Sequence, residues 1–325
     1  MNYLMLSVGR RGELLKDFRL SIEEGSRIVA TDLSPYAPAL YFADEQYLVP
    51  RIDDPAYIDT ILDICKKESI DAVTTFIDPE ISILANNREK FADLGVEVLA
   101  PYEETAEICF DKYKMFKHLQ SVGIPTVMTW GTIEEFEDAY KVGTVEFPVF
   151  VKTRTGSGSV GARKVSNYEI LEELMKEDPS LIIQEFMDCM DLDADVYIDT
   201  ITHEAVAAFS KKKIENRIGG ASKTISFKDE KLFAFISNIV KTLKFNGPID
   251  MDFFYKDGSY YLSEVNPRFG GAYLHAYGAG VDFIKLIEKN LNGEANTPNF
   301  GDYEEGVVMM MYDSVVIRKP EEIIG

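Results

Sequence analysis

The sequence predicts an α/β first part over residues 1–105 and a mixed α+β part with antiparallel hairpins over 106–325. Two observations point to the first part. Short apolar runs at Tyr3–Val8, Arg27–Ala30, Ala72–Ile77 and Val96–Leu99 recur at intervals, and between them Ile58, Ile61, Leu62 and Cys65 keep the i, i+3, i+4, i+7 spacing of a helix. Strands alternating with amphipathic helices are the pattern of a parallel sheet covered by helices. A third observation points to the second part: the strand-like Asp250–Tyr255 and Tyr260–Asn266 flank a Lys256-Asp257-Gly258-Ser259 turn.

In chain order, the first turn is Gly9-Arg10-Arg11-Gly12, and Asp32 ends the second strand, where doubly wound folds meet ligands. The full glycine fingerprint of a dinucleotide site is missing, and two arginines fill the space a pyrophosphate needs, so nicotinamide binding is disfavoured. A boundary is expected near Pro101. A helix carrying Lys112, Met115, Phe116 and Leu119 stops at Gly123, with Pro125 beyond. The strand Phe147–Lys152 ends in a lysine and runs into a loop holding Gly156, Ser157, Gly158, Ser159 and Gly161. Glycine backbone N–H groups and serine hydroxyls can close on phosphate oxygens, and the lysine supplies a point charge. The loop is no P-loop, since no Gly-Lys-Ser/Thr closes it; the competing reading is a surface hairpin. A further strand, Leu181–Met187, breaks into an acidic loop whose free backbone groups can read an adenine edge, with Asp191 just beyond to meet ribose hydroxyls or water. Leu232, Ile236, Ile239 and Leu243 form the buried stripe of a helix.

The final hairpin carries the strongest chemical signal. Side chains alternate along a strand, so Asp250 and Asp252 share a face, as do Glu264 and Asn266. A two-residue turn would set Asp252 opposite Ser263 and send Glu264 to the far side. A three-residue connection with a bulge at a left-handed Gly258 brings all four to one face. Oxygen-only ligands at cross-strand distance suit a hard ion such as Mg²⁺, whose shell is completed by phosphate and water; a solvated acidic face is the alternative.

Composition narrows the class. Hydrophobic residues make up 46% of 325, enough for two or three cores. A net charge of −21 argues against nucleic acid, and Lys211-Lys212-Lys213 is too short a run to offset it. The three cysteines, Cys65, Cys109 and Cys189, have no metal spacing and suit a reducing compartment. With no signal peptide and no apolar run long enough for a bilayer, a cytoplasmic protein without membrane contact is expected.

Taken together, these segments resemble the ATP-grasp superfamily, in the branch similar to the ATP-binding half-units of carbamoyl phosphate synthase large chains. The most specific match is Glu264-Val265-Asn266-Pro267-Arg268-Phe269-Gly270-Gly271, and the spacing of Lys112 and Lys152 is a second. The resemblance implies a pre-ATP-grasp domain over 1–105 and a two-subdomain ATP-grasp fold over 106–325, with a lid at about 125–187 and a metal-binding subdomain at about 188–325. It implies that Lys112, Lys152 and the Gly156–Gly161 loop hold ATP phosphates. Glu185, with the backbone of Phe186 and Met187, would take the adenine, and Asp191, or Asp193 in its place, the ribose. Asp252, Glu264 and Asn266 would bind one or two Mg²⁺ ions, with Mn²⁺ as substitute. Asn266 and Arg268 would be catalytic, Arg268 facing the γ-phosphate and an incoming carboxylate. Arg217 and Lys223, flanking Gly219-Gly220, would face substrate, with His275 in support. In the first domain Arg10 or Arg11 would grip a carboxylate and Asp78 or Glu80 an ammonium group, unless all four pair at the domain interface.

The implied chemistry is ATP-dependent joining of a small carboxylate, an amino acid among the candidates, to an amine or thiol through an acyl phosphate. The alternatives are a silent ATP-binding regulator and one component of a carbamoyl or carboxyphosphate synthase. Partners would be small-molecule carboxylates and amines, with a homodimer left open.

Overall fold

The computed structural model describes residues 1–156, 161–217 and 220–325. Three sheets organise them, and the first is fully parallel, in the order Glu45–Leu48, Arg27–Asp32, Asn2–Leu6, Ala72–Thr75, Glu97–Val98. Its central strand is covered on both faces: Tyr3 and Met5 enter one hydrophobic cluster, while Leu4 and Leu6 enter another with Ile61, Leu62 and Cys65. The helix Tyr57–Glu68 carries the apolar stripe seen in the sequence and stops at Ser69, which turns left-handed. The edge strand Glu45–Leu48 has no apolar run and was not expected.

The second sheet is antiparallel, ordered Thr129–Trp130, Leu181–Glu185, Val149–Thr153, Arg163–Val165. Helices Ile133–Lys141 and Tyr168–Glu177 contribute Phe136, Leu171 and Leu174 to a core with Trp130, Val149, Val151 and Ile183. The third sheet has six antiparallel strands in the order Ser259–Asn266, Gly247–Lys256, Met190–Ile198, Ala205–Arg217, Gly220–Phe227, Val308–Met310. Its core is continuous with one face of the first sheet. Phe18 bridges them, with ring centroids 5.8 Å from Tyr3 and 5.6 Å from Phe269. No helix among the described residues is long and apolar enough to cross a membrane.

The hairpin Gly247–Lys256/Ser259–Asn266 corrects the expected turn. Lys256 pairs with Ser259, so the connection is the two-residue Asp257-Gly258, with φ of 50° and 80° as a primed turn requires. The extra residue lies five positions on: Phe253 faces Leu262 whereas Asp252 faces Glu264, which leaves Ser263 as the bulge. The bulge at Ser263, rather than one at Gly258, sets Asp252 opposite Glu264 and Asp250 opposite Asn266.

At the start of this hairpin Gly247 has φ +82°, and a Cβ there would lie 3.3 Å from the Cα of Leu99. The first and third sheets therefore touch backbone to backbone at this point. Gly247→Ala is expected to destabilise the protein by about 1–3 kcal/mol, read as a lower urea midpoint with an unchanged slope.

Candidate active site

A cavity of about 280 Å³ lies between the second and third sheets. Strand parity builds one wall: Val149 and Val151 are buried in the second sheet's core, so Phe150 and Lys152 turn to the cavity. Lys112 enters from the first turn of helix Lys112–Ser121, whose start is held by the Asp111 carboxylate accepting from Tyr113 N and Lys114 N, both at 3.0 Å. On the opposite wall Asp191, Asp252, Phe254 and Glu264 project from three neighbouring strands.

Every charge in this cavity has a partner. Lys112 Nζ is 3.7 Å from one oxygen of Glu264 and Lys152 Nζ 3.9 Å from the other. Lys112 also donates to the carbonyl of Gly156. Lys213 Nζ lies 2.8 Å from Asp191 Oδ1 and donates to Asp252. Burial pulls the Lys152 pKa down, opposed by Glu264 and assisted by Lys112. Burial disfavours the charge on Lys213 as well, but Asp252 and Asp191 outweigh it and raise its pKa. Lys213 was missed because it sat inside a run read only as net charge. Parity would have found it: Lys211 and Lys213 share one face of strand Ala205–Arg217, and Lys212 takes the other.

Deeper in the same sheet face lies a second acidic set. Carboxylate oxygens of Asp193, Asp195 and Asp250 come within 4.8 Å of one another, all three residues being buried. The ammonium of Lys211 sits among them, 3.1 Å from Asp193 and hydrogen-bonded to Asp195. Burial and then Asp193 push the Asp250 carboxyl well above its usual range. Gly270 seals this set, since a Cβ there would meet Asp195 at 2.6 Å and Asp250 at 2.8 Å.

Of the two ribose candidates, Asp191 borders the cavity and Asp193 does not. Asp191 belongs to strand Met190–Ile198 rather than to the expected loop. The Glu185 carboxylate accepts from Met128 N at 2.8 Å and the Glu185 backbone N–H donates to the Met128 carbonyl at 2.9 Å, so this residue braces the second sheet. Phe186 lies under the ammonium of Lys164 at 4.0 Å, and Met187 is buried; neither borders the cavity. Ser157, Gly158, Ser159 and Gly219 lie outside the described residues, while Gly156 borders the cavity and Gly161 is exposed with φ +73°.

Several first-domain and loop residues have partners within the protein. Arg11 donates to the carbonyls of Phe269 at 2.6 Å and Gly270 at 3.1 Å, lying over Phe76, so it clamps the backbone after Arg268, the domain-interface alternative of the sequence reading. Arg10 is exposed. Glu80 is fully buried and accepts from Tyr57 and Thr75, so it serves the first domain's interior; burial raises its pKa. Arg217 is exposed and reaches Met311, and Lys223 pairs with Glu215 at 2.7 Å, both on the hairpin formed by the fourth and fifth strands of the third sheet. His275 is buried, with Nδ1 2.8 Å from the Thr224 hydroxyl and its ring against Phe209. The Gly9-Arg10-Arg11 turn is closed by Asp32, which accepts from Gly9 N at 2.8 Å.

Arg268 crosses to the first domain: its Nε is 2.8 Å from Asp78 Oδ1, its Nη2 donates to Asp78 Oδ2 at 3.2 Å, and its Nη1 is 4.0 Å from Asp250. Burial opposes its charge, but Asp78 and Asp250 prevail and raise its pKa. A smaller cavity of about 20 Å³, room for one water, lies beside Asp78 and is bordered by Glu264 and Asn266. Glu264 and Gly156 border both cavities.

Residues 109–272, about half the chain, match the model of the ATP-grasp domain. The chain belongs to the ATP-grasp family. Residues 3–99 match the PylC-like N-terminal domain. Similar proteins include the pyruvate carboxylase of Staphylococcus aureus, 29% identical over 52% of this chain and 15% of that protein. The arginine-specific carbamoyl phosphate synthase large chain of Geobacillus stearothermophilus is 21% identical over 92% of this chain and 28% of its own length. The chain thus spans less than two thirds of these relatives. Among solved structures, the biotin carboxylase domain dimer of Hydrogenobacter thermophilus 2-oxoglutarate carboxylase, in complex with MgADP, ADP and bicarbonate, superimposes with a TM-score of 0.73 at 19% identity, covering 94% of this chain and 73% of that one.

Burial first, and then the ammonium of Lys211, push the His275 pKa down to about 4. The ring is therefore neutral at pH 7, and its carbon-bound proton resonances should stay constant between about pH 5.5 and pH 8. A titration step inside that window would show a solvated imidazole and contradict the packing role. The sign follows from linkage: the unfolded state binds the proton first, so this group removes stability as pH falls from about 6.5 toward 4.

Proposed function

We propose that the chain is an ATP-dependent ligase that activates a small carboxylate as an acyl phosphate and passes the acyl group to an amine or thiol. One observation carries the reading: three lysines and three carboxylates, alternating in charge, surround a cavity with aromatic side chains at Phe150 and Phe254. Lys112 and Lys152 suit the phosphates, the two rings suit adenine, and Asp191 suits the ribose. Asp252, Glu264 and Asn266 offer an all-oxygen set at facing positions, and the Asn266 amide nitrogen already donates to Asp250 at 3.4 Å, which leaves its carbonyl oxygen for a hard cation. One or two Mg²⁺ ions, replaceable by Mn²⁺, would supply charge neutralisation of the phosphates when bound.

The chain's own groups do the rest. With nucleotide present, the ammonium groups of Lys112 and Lys152 serve phosphate oxygens and leave Glu264 to the metal. A carboxylate oxygen attacks the γ-phosphorus, ADP departs, and the amine then displaces phosphate from the acyl carbon. Positioning and charge compensation are the protein's share of such a transfer. Exclusion of water matters because an acyl phosphate hydrolyses, and the second sheet, which forms one wall of the cavity, is the element that would cover the site. We extend to this chain a cytoplasmic location, supported by its three free cysteines, and a homodimer, by likeness to the dimeric domain above.

Lys152→Ala should weaken ATP more than AMP, by about 1.5–3 kcal/mol, in calorimetric titrations; equal losses would remove Lys152 from the phosphates. Arg268→Lys tests turnover. Lysine keeps the charge but loses the planar two-point grip, so acid-dependent ADP release should fall by about 100-fold or more while MgATP affinity changes little. Unchanged turnover would confine Arg268 to its interface pair.

A further inference from the structure

The strand Val308–Met310 is the outermost of the third sheet. Beyond it residues 311–319 form no helix or strand, and among the described residues no backbone–backbone hydrogen bond involves Tyr312 through Arg318. Both ends of this stretch are nevertheless held. Met311 N donates to the Ser222 carbonyl at 2.9 Å, the Arg318 guanidinium lies 5.6 Å from the Tyr41 ring centroid, and Ile324 packs on the main core. Between these anchors the side chains are apolar and in water: Tyr312, Val315 and Ile317 are 84%, 81% and 81% exposed. Asp313 and Lys319, which flank Val315 and Ile317, are exposed too. Free backbone groups next to exposed apolar side chains form a template for pairing with another strand.

We propose that residues 313–319 are the contact between two copies of this chain, paired as antiparallel strands about a two-fold axis through Val316. This rests on the homodimer reading above and gives it an interface; it is independent of the ligase chemistry. The occupant is read from the segment itself, which is self-complementary in this register. A two-fold axis normal to a sheet sets residues equally far from the axis opposite each other. Asp313 then faces Lys319 of the second copy, Val315 faces Ile317 of the second copy, and each pair occurs twice. These residues are spaced by two, so they share one face of an extended strand, with an apolar centre closed at both ends by an ion pair. Neighbouring registers lose the match. With the axis at Val315, Asp313 meets Ile317; with the axis at Ile317, it meets Glu321, a like charge. Such an isologous contact closes on itself, so it yields a dimer and not a filament.

The experiment is sedimentation equilibrium of the full chain and of a charge-swap set. Wild type is expected to be a dimer. Asp313→Lys and Lys319→Asp each place like charges opposite one another at both ends of the contact, and each should raise the dimer dissociation constant by about tenfold or more. The double variant carrying both substitutions restores opposite charges and should recover wild-type dimerisation, which a general effect of net charge would not do. All the substituted side chains are exposed, so the variants should fold, and unchanged thermal unfolding of the separated monomer confirms it. A wild-type dimer indifferent to both single substitutions overturns the strand pairing and leaves the homodimer intact. Weakening in the single variants without recovery in the double variant overturns the register about Val316, and with it the proposal. A wild-type monomer at every concentration overturns both readings, and an open-ended assembly overturns the two-fold contact.

Discussion

Placing many carboxylates on one face of a sheet is tolerable only if cations are interleaved with them, and this requirement shapes the third sheet. Asp193, Asp252 and Glu264 lie in one row across three strands, with Asp195, Asp250 and Asn266 in the next. Each row meets ammonium groups, Lys211 and Lys213 from the fourth strand and Lys112 and Lys152 from outside the sheet. An unpaired carboxylate at this depth would be protonated or would cost several kcal/mol of stability. Asp250, buried and crowded by the carboxylates of Asp193, Asp252 and Asp195, is driven well above the usual carboxyl range.

The first domain is held to this sheet through the same motif. Arg11 binds the backbone at Phe269 and Gly270, Arg268 returns the contact to Asp78, and Phe18 and Phe269 meet edge to face. Two half-buried guanidinium groups thus lie at the seam, and burial and then the charge of Arg268 lower the Arg11 pKa to about 10. The carboxylates of Asp78, Asp195 and Asp250 offset it. Geometry along Glu264–Gly271 therefore depends on side chains contributed by the first 80 residues as well as on its own hairpin.

What the sequence revealed follows from range. Periodicity within ten or twenty residues disclosed the parallel sheet, the helix Lys112–Ser121, the strand ending in Lys152 and the paired acids of the last hairpin. The edge strand Glu45–Leu48 carries no hydrophobic pattern because it is largely exposed, so local reading had nothing to detect. The bulge escaped notice for another reason. Turn chemistry at Asp257-Gly258 is local, but the shift at Ser263 is a property of pairing. Arg268 and Asp78 are 190 positions apart, and Arg11 and Phe269 are 258 apart, so local reading could name the residue types but not their partners in the fold. Glu80 is the same case within one domain: an acid in a loop-like context that the interior satisfies with two hydroxyls.

Glu264 borders two cavities and answers to two lysines. A single carboxylate in that position makes the two compartments energetically interdependent. Whatever draws Lys112 and Lys152 away from it on the side of the larger cavity changes the potential felt on the other side, and the effect must run equally in reverse. Order of binding then need not be imposed by a moving part. A nucleotide held as proposed would, by drawing the two ammonium groups off one shared wall, set the affinity of the neighbouring compartment, and an occupant there would return the same free energy to the nucleotide.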